Sequence, residues 1–255
     1  LAAVDFLWLK KEEVAALHAL SKSGGYLPDR LTERMARFHL NDSIRGDDDN
    51  DRIEGGADGD KIWGDSGNDA LFGGDGGDTV YGGVGDDYIN GGNGNDKLRG
   101  GAGDDRVIGG NGHDNMNGNF GNDFMSGGKG NDAMRGAAGN DVMDGNEGRD
   151  NMFGDDGSDI LNGGAGDDKL TGGNGADIFV FDEGNGADTV RDFDTAEDQI
   201  WITRSIDYFE LSELSQVGAD AVFDFGGGDT LTLLNTSVGD LALSNFVLTD
   251  EALFG

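Results

Sequence analysis

The chain has 255 residues, of which 51 are acidic and 18 basic, giving a formal net charge of −33; it also has 49 glycines, one proline and no cysteine. So acidic a chain repels nucleic-acid phosphates, and the lack of cysteine excludes disulfides and thiolate metal sites, so we expect no nucleic-acid partner. No apolar run reaches about 18 residues, so we also expect no membrane span.

The first segment, residues 1–41, is not acidic, because residues 1–45 carry seven basic and six acidic side chains. Its apolar residues recur with partly helical spacing, Gly24-Gly25 interrupts the pattern, and Pro28 begins a second candidate helix. We predict a short helical N-terminal cap that covers the open end of the structure that follows. The alternatives are a linker or remnant of a larger upstream protein and an independent pair of helices.

The second segment is periodic. From Gly46 to Val180 the sequence divides into fifteen consecutive nine-residue units without an insertion, such as GGNGNDKLR at 91–99. The first position is always Gly, and the fourth is Gly except at Asp49 and Asp58. The eighth position is always apolar: Ile53, Ile62, Leu71, Val80, Ile89, Leu98, Val107, Met116, Met125, Met134, Met143, Met152, Leu161, Leu170 and Phe179. The sixth position is always aspartate: Asp51, Asp60, Asp69, Asp78, Asp87, Asp96, Asp105, Asp114, Asp123, Asp132, Asp141, Asp150, Asp159, Asp168 and Asp177.

This pattern, GGxGxDxUx with U apolar, resembles the RTX nonapeptide repeat of proteins exported by bacterial type I secretion. The resemblance implies an all-β fold over residues 42–180, a right-handed parallel β-roll in which two nonapeptides make one turn. It also implies calcium ions between the loops and a type I secretion apparatus as a partner. The expected location is secreted, either extracellular or at the bacterial cell surface.

The residues of each unit support a metal-dependent roll. Glycine suits the tight turns, and we predict six loop residues followed by three extended residues, of which the middle one points inward. The repeat block has 29 acidic and 9 basic residues, and calcium is a hard cation that binds carboxylate and carbonyl oxygens. We therefore predict that the sixth-position aspartates bind about a dozen calcium ions and that folding is coupled to this binding. Aspartate as a mere turn former would not require the residue in every unit.

The third segment, residues 181–255, carries 16 acidic and 2 basic residues and is predicted to be a β-rich C-terminal cap. Residues 184–190 form one more degenerate repeat, offset by two, so Asp188 and Asp198 are further candidate metal ligands. Alternating residues on both sides of 226–229 predict a β-hairpin, and residues 246–248 predict a last strand.

This tail is also similar to the region that follows the RTX repeats in serralysin-type proteases. The resemblance rests on Phe179 and Phe181, on Asp192-Phe193 and on the Gly-Gly-Asp hairpin. It implies an uncleaved type I export signal within about the last 50–60 residues, ending at Gly255.

We expect no enzymatic activity and no catalytic residue. The zinc-protease motif HExxH and the hydrolase motif GxSxG are absent, and His18, His39 and His113 do not have zinc-ligand spacing. His113 occupies a variable fifth position and is interpreted as solvated. In paired carboxylates such as Asp104-Asp105, the second is interpreted as the ligand and the first as a loop residue.

Three aromatic residues, Trp63, Phe72 and Tyr81, occupy successive ninth positions and should point outward, with Trp63 and Tyr81 one turn apart on the same sheet. Either the N-terminal helices pack over them, or they bind a sugar or another partner. The alternatives to a calcium-folded module are therefore an adhesin or polysaccharide-binding module, with a polysaccharide or cell surface as partner, and an accessory domain of a larger secreted enzyme.

Overall fold

The structure is a computed structural model that describes residues 41–182, 184–203 and 214–249. Sixteen strands follow one another through the repeats, and each begins at a seventh position. At this position the glycine-rich part of the unit ends, and the following side chains alternate between the inside and the outside of the fold. They are β1 Ser43–Asp47, β2 Arg52–Ala57, β3 Lys61–Ser66, β4 Ala70–Asp75, β5 Thr79–Val84, β6 Tyr88–Asn93, β7 Lys97–Ala102, β8 Arg106–Asn111, β9 Asn115–Phe120, β10 Phe124–Lys129, β11 Ala133–Ala138, β12 Val142–Glu147, β13 Asn151–Asp156, β14 Ile160–Asn162, β15 Lys169–Asn174 and β16 Ile178–Phe181.

Each strand pairs in parallel with the next strand but one, so the strands form two parallel sheets. The odd-numbered strands belong to a 12-stranded sheet and the even-numbered strands to a 10-stranded sheet. Paired residues are 18 apart, as in Ile62 with Val80 and Leu71 with Ile89. Two nonapeptides therefore make one turn, as predicted, and the chain forms an all-β parallel solenoid of about nine turns.

The strands are longer than predicted. Most have six residues, because the first three positions of the following unit continue the extended segment, so only the fourth to sixth positions form the turn. The prediction of a six-residue loop was wrong. A residue at the second position can have a positive φ and still pair with the corresponding residue of the neighbouring strand, so the strand continues through it. Asp65 has a φ of 75° and its partner Gly83 a φ of 130°. Only Gly is free of a steric penalty there, so Asp65 lies in a strained region that the neighbouring turns must impose.

The core is a single layer of side chains between the two sheets. The eighth-position residues are buried in all fifteen units, and those from Ile62 to Phe179 are at most 1% exposed. Five successive methionines from Met116 to Met152 belong to this core, as the spacing predicts. Their neighbours at the seventh and ninth positions point to the outside, because side chains alternate along a strand.

The tail extends both sheets. Its strands are β17 Ala187–Val190, β18 Gln199–Thr203, β19 Leu214–Val217, β20 Asp220–Gly226, β21 Asp229–Leu233 and β22 Phe246–Thr249, with short 3-10 helices at Val238–Asp240 and Leu243–Asn245. The predicted hairpin is confirmed as the antiparallel pair β20–β21, and the predicted last strand as β22, which pairs with β18. Strand β19, at the edge of the 12-stranded sheet, was not predicted.

The predicted helical cap over residues 1–41 lies outside the described residues, apart from Asn41, and so stays a prediction. Among the residues that the structure describes, no helix has the length and apolar character needed to cross a membrane.

Candidate metal centres

The sixth-position aspartates form two rows, one for each set of alternate units. Each aspartate lies at the end of a turn, directly before a strand, and all from Asp60 to Asp177 are at most 3% exposed. Within a row, the backbone N–H of each aspartate donates to Oδ1 of the aspartate one turn later. The N···O distance is 2.7 Å from Asp60 to Asp78 and 2.8 Å from Asp78 to Asp96.

The second carboxylate oxygen has no such partner. In fifteen aspartates Oδ2 is buried without a hydrogen-bond partner among the described residues: Asp60, Asp69, Asp78, Asp87, Asp96, Asp105, Asp114, Asp123, Asp132, Asp141, Asp150, Asp159, Asp168, Asp177 and Asp188. A buried carboxylate oxygen without a hydrogen-bond donor or a cation lowers the stability of the fold by on the order of 1–3 kcal/mol, and by more when the group is charged. A regular row of such oxygens therefore points to a ligand that the protein chain itself does not supply.

The first-position glycines explain where these oxygens point. A Cβ added to Gly55 would lie 2.5 Å from Oδ2 of Asp60 and 2.6 Å from the carbonyl oxygen of Gly73, one turn later. The same arrangement recurs at Gly91, with Asp96 and Gly109. A carboxylate oxygen and a carbonyl oxygen thus approach one small space, and glycine is required because any side chain would fill that space.

Burial raises the pKa of these carboxyl groups. It raises the pKa of Asp96 to about 7 and that of Asp150 to about 8; the hydrogen bond from the backbone one turn earlier lowers each pKa, and neighbouring aspartates in the row raise it again. The rows are therefore electrostatically costly when ionised, and a bound cation would reverse this cost.

The oxygens present fit a hard cation. Among the described residues, no group of three or more His, Cys, Asp or Glu side chains has the spacing of a metal site, so aspartate side chains alone do not complete one. Backbone carbonyls such as that of Gly73 would have to supply the remaining ligands of any cation bound there. An all-oxygen set of carboxylates and carbonyls is the donor set of calcium, whereas zinc prefers nitrogen and sulfur.

The predicted ligands at the ends of the rows differ from the rest. Asp188 continues one row, accepting from the N–H of Asp168 at 3.0 Å, and burial raises its pKa to about 8. Asp198 continues the other row, but its Oδ2 already accepts from the N–H of Asp194 at 2.8 Å. Asp51, at the beginning, is only half-buried. The structure thus brings Asp188 into the same arrangement as the repeats, whereas Asp198 has protein partners on both oxygens.

A second set of rows, at the fifth position, was not predicted. There the side chain accepts from the backbone N–H one turn later, the opposite direction to the sixth-position rows. The oxygen of Asn50 accepts from Asn68 at 2.9 Å, and Nδ1 of His113 accepts from Asn131 at 2.7 Å. The members differ in type, which hides the pattern: Asn50, Asn68, Asp86, Asp104, Asn122, Asn140 and Ser158 in one row, and Asn95, His113 and Asn131 in the other.

The interpretation of His113 as a solvated side chain is therefore incomplete, because the side chain is exposed but also joins two turns. The signal that could have identified it is shared chemistry: asparagine, aspartate, serine and neutral histidine all accept a hydrogen bond. Asp104, the first of the paired carboxylates, belongs to this row, whereas Asp105 belongs to the buried one.

The family model of the RTX calcium-binding nonapeptide repeat, in four copies, matches residues 40–71, 63–98, 90–125, 117–152 and 153–190. Together these matches cover residues 40–190, more than half of the chain. No curated protein matched in the sequence comparison.

Solved structures similar to this chain include two subunits of the Azotobacter vinelandii mannuronan C5-epimerase. AlgE6R3 has a TM-score of 0.40 and 25% identity over 50% of this chain and 83% of its own, and AlgE6R2 has a TM-score of 0.39 and 24% identity over 49% and 91%. The extracellular lipase LipA of Serratia marcescens has a TM-score of 0.32 and 19% identity over 67% of this chain and 40% of its own.

Proposed function

Because the chain belongs to the family of RTX calcium-binding nonapeptide repeat proteins, we propose that its repeat region folds when calcium binds, after export from the cell. The observation that supports this most directly is the regular row of buried Oδ2 atoms without a partner. Such rows destabilise the metal-free fold and stabilise the metal-bound one, because a ligand that binds only the folded chain shifts the equilibrium toward it.

The proposed ligands are the sixth-position aspartates from Asp51 to Asp177, together with Asp188, each set completed by carbonyl oxygens of first-position glycines such as Gly73. Asp198 is the weakest of the predicted ligands, because both of its oxygens already accept from backbone N–H groups. About a dozen divalent ions would then fully offset the net negative charge of the repeats, which have 29 acidic and 9 basic residues. Calcium would supply the positive charge between the turns, and the chain would supply a preformed set of oxygens. The turns are expected to wind in the right-handed sense, as parallel crossovers almost always do.

The proposed sequence of events follows from the charge. In a calcium-poor cell interior, 29 acidic side chains in the repeats repel one another, and the chain stays extended enough to pass through a type I secretion apparatus. Outside the cell, calcium binds and the roll forms. An export signal within residues 181–255 would direct this route, and the repeats themselves would have a structural rather than a catalytic role.

Circular dichroism of the full chain tests the coupling. We expect the β signal to appear cooperatively as calcium is added and to disappear when excess EDTA is added. An unchanged β signal in EDTA would overturn the proposal.

Magnesium is the matched control, because it has the same charge but requires a smaller, nearly octahedral and partly hydrated site. If magnesium at the same concentration folds the chain equally well, charge neutralisation alone explains folding and the specific calcium sites are wrong.

One observation favours a second candidate function, that of a polysaccharide-binding module. Basic side chains that form no ion pair with any residue that the structure describes, and stacked aromatic rings, lie together on the outside of the 12-stranded sheet.

A further inference from the structure

The two sheets differ in the charge that they present to the outside. In the roll, the seventh and ninth positions of the 12-stranded sheet carry no acidic residue but seven basic ones: Arg45, Lys61, Lys97, Arg99, Arg135, Lys169 and Arg191. The same positions of the 10-stranded sheet carry two basic residues, Arg52 and Arg106, and two acidic ones, of which Glu54 is exposed and Asp144 is buried. In a chain with 51 acidic and 18 basic residues, this is a strong separation of charge.

Several of these basic groups have no acidic partner. Arg45 pairs with Asp65, with an N···O distance of 2.7 Å, but within the described part of the chain Lys61, Lys97 and Arg99 form no ion pair. All three are exposed. Because acidic residues are abundant everywhere else, three neighbouring cations without one indicate a surface suited to an anion from outside the chain.

Aromatic rings lie among these cations. Trp63 and Tyr81 stack one turn apart, with ring centroids 5.8 Å apart and planes inclined by 8°. The guanidinium of Arg99 lies 5.5 Å from the centroid of the Tyr81 ring. Both rings are half-buried and present part of their surface to solvent, while the guanidinium keeps its donors available for a planar anion.

A groove adjoins the Tyr81 ring. It has a volume of about 330 Å³, and the residues with large side chains that line it are Tyr81, Arg99, Asn119 and Phe120. Phe120, at a third position, is 68% exposed, which is unusual for so large an apolar side chain on a polar molecule. The groove thus combines an apolar side, a guanidinium and an amide.

We propose that this surface binds a carboxylate-bearing polysaccharide. We call it the cationic groove, and it comprises Tyr81, Arg99 and Phe120 of the groove together with the flanking Lys61, Trp63 and Lys97. The faces of Trp63 and Tyr81 are covered by each other and by Arg45 and Arg99, so their edges meet the ligand, and the exposed ring of Phe120 packs against the apolar face of a sugar ring. The guanidinium of Arg99 binds the carboxylate with two parallel hydrogen bonds. Lys61 and Lys97 lie two strands apart, about 10 Å, so an extended polymer that crosses the strands along the solenoid axis meets successive cations. A neutral polysaccharide would have no use for these charges.

The net charge of the chain does not prevent this binding. Charges beyond about 8 Å are largely screened at physiological ionic strength, so the local surface decides. The inference rests on the calcium-loaded roll of the proposed function, since only the folded roll brings Lys61, Tyr81 and Arg99 together from three successive turns.

Calorimetric titration of the full, calcium-loaded chain tests the proposal, with oligogalacturonate as the probe and a neutral cello-oligosaccharide of the same length beside it. Short oligomers avoid gel formation with calcium. Circular dichroism of the same sample reports whether the roll has formed, so a failure of folding is distinguished from a failure of binding. We expect saturable binding of the acidic oligomer only, and about tenfold weaker binding by Arg99→Gln or Tyr81→Ala.

Arg106→Gln is the matched control, because Arg106 also lies over an aromatic ring, Phe124, but on the 10-stranded sheet. It should leave the affinity for oligogalacturonate unchanged. The proposal is wrong if the folded chain binds neither oligomer, if it binds both equally, if Arg106→Gln weakens binding as much as Arg99→Gln, or if single-stranded DNA binds more tightly than oligogalacturonate.

Discussion

The repeats and the tail stabilise the same two sheets by different means. Each strand of the repeats contributes one inward apolar side chain, and from Asp60 onward each strand follows an aspartate whose buried Oδ2 has no hydrogen-bond partner among the described residues. The tail instead adds large aromatic side chains, Phe181, Phe193 and Phe223, to the end of the same continuous core, and its hairpin acid Asp229 accepts from the N–H groups of Gly184 and Gly186. If the proposed function is right, the tail is held mainly by packing, whereas the repeats require a cation.

The largest expected effect is that of pH on the calcium-free chain. The raised pKa values, about 7 for Asp96 and about 8 for Asp150, lie above the value of about 3.9 in an unfolded chain. The folded chain therefore binds more protons, and the stability that these groups contribute is fully present below about pH 4 and lost as the pH rises toward 8.

We accordingly expect a calcium-free sample to gain β signal in circular dichroism when the pH is lowered from about 8 to about 5. In saturating calcium the signal should already be complete at neutral pH. If a calcium-free chain instead loses β structure when the pH is lowered over this interval, the ionised aspartates do not destabilise the repeats, and the contrast drawn between the repeats and the tail is wrong.

The next effect concerns the packing of the tail. Phe223 is 1% exposed and its ring lies 5.4 Å from that of Phe246, so Phe223→Ala should lower the free energy of unfolding by about 3–5 kcal/mol. Urea denaturation in saturating calcium measures this. Phe120→Ala, at an exposed position of a repeat, is the control and should change it by less than about 0.5 kcal/mol. If both substitutions lower the free energy of unfolding equally, the packing of Phe223 does not contribute specially to the stability of the tail.

A smaller effect separates neighbouring carboxylates within one loop. Asp105→Asn removes charge from a buried oxygen, whereas Asp104→Asn changes an exposed residue of the fifth-position row that asparagine can replace. We expect Asp105→Asn to raise the calcium concentration at the folding midpoint about tenfold and Asp104→Asn to leave it nearly unchanged. A calcium titration followed by circular dichroism compares the two variants, and the same shift in both would contradict the assignment of ligands.

The smallest effect tests the fifth-position rows. His113→Ala removes the acceptor for the N–H of Asn131 and should cost about 0.5–1.5 kcal/mol. His113→Asn should restore most of it, because asparagine occupies this position in other turns. Denaturation midpoints of both variants in calcium provide the measurement. No loss in His113→Ala would mean that the row contributes nothing to stability.

The sequence was sufficient to predict features that depend on a single repeated residue type. The eighth-position core follows from keeping one frame, and Asp188 is found when that frame is shifted by two residues. The two-unit turn was implied by the resemblance to RTX repeats. The six-residue length of the strands was not predicted, because the glycines at the start of each unit were interpreted as loop residues. Asp65 and Ala137 also have positive φ at second positions, and their residue types do not reveal this conformation. The charge separation was missed because it exists only between alternate units, which become neighbours in the folded solenoid.

The pairing of residues 18 apart also limits how the chain can change in length. Loss or duplication of eighteen residues would alter the solenoid by one full turn and leave every later side chain on its own sheet. Loss of nine residues between Tyr81 and Arg99 would move all later units to the opposite sheet, carrying Arg99 away from the Trp63–Tyr81 stack while preserving the repeat perfectly. Natural variation in repeat number should therefore occur in pairs of units wherever the cationic groove is under selection.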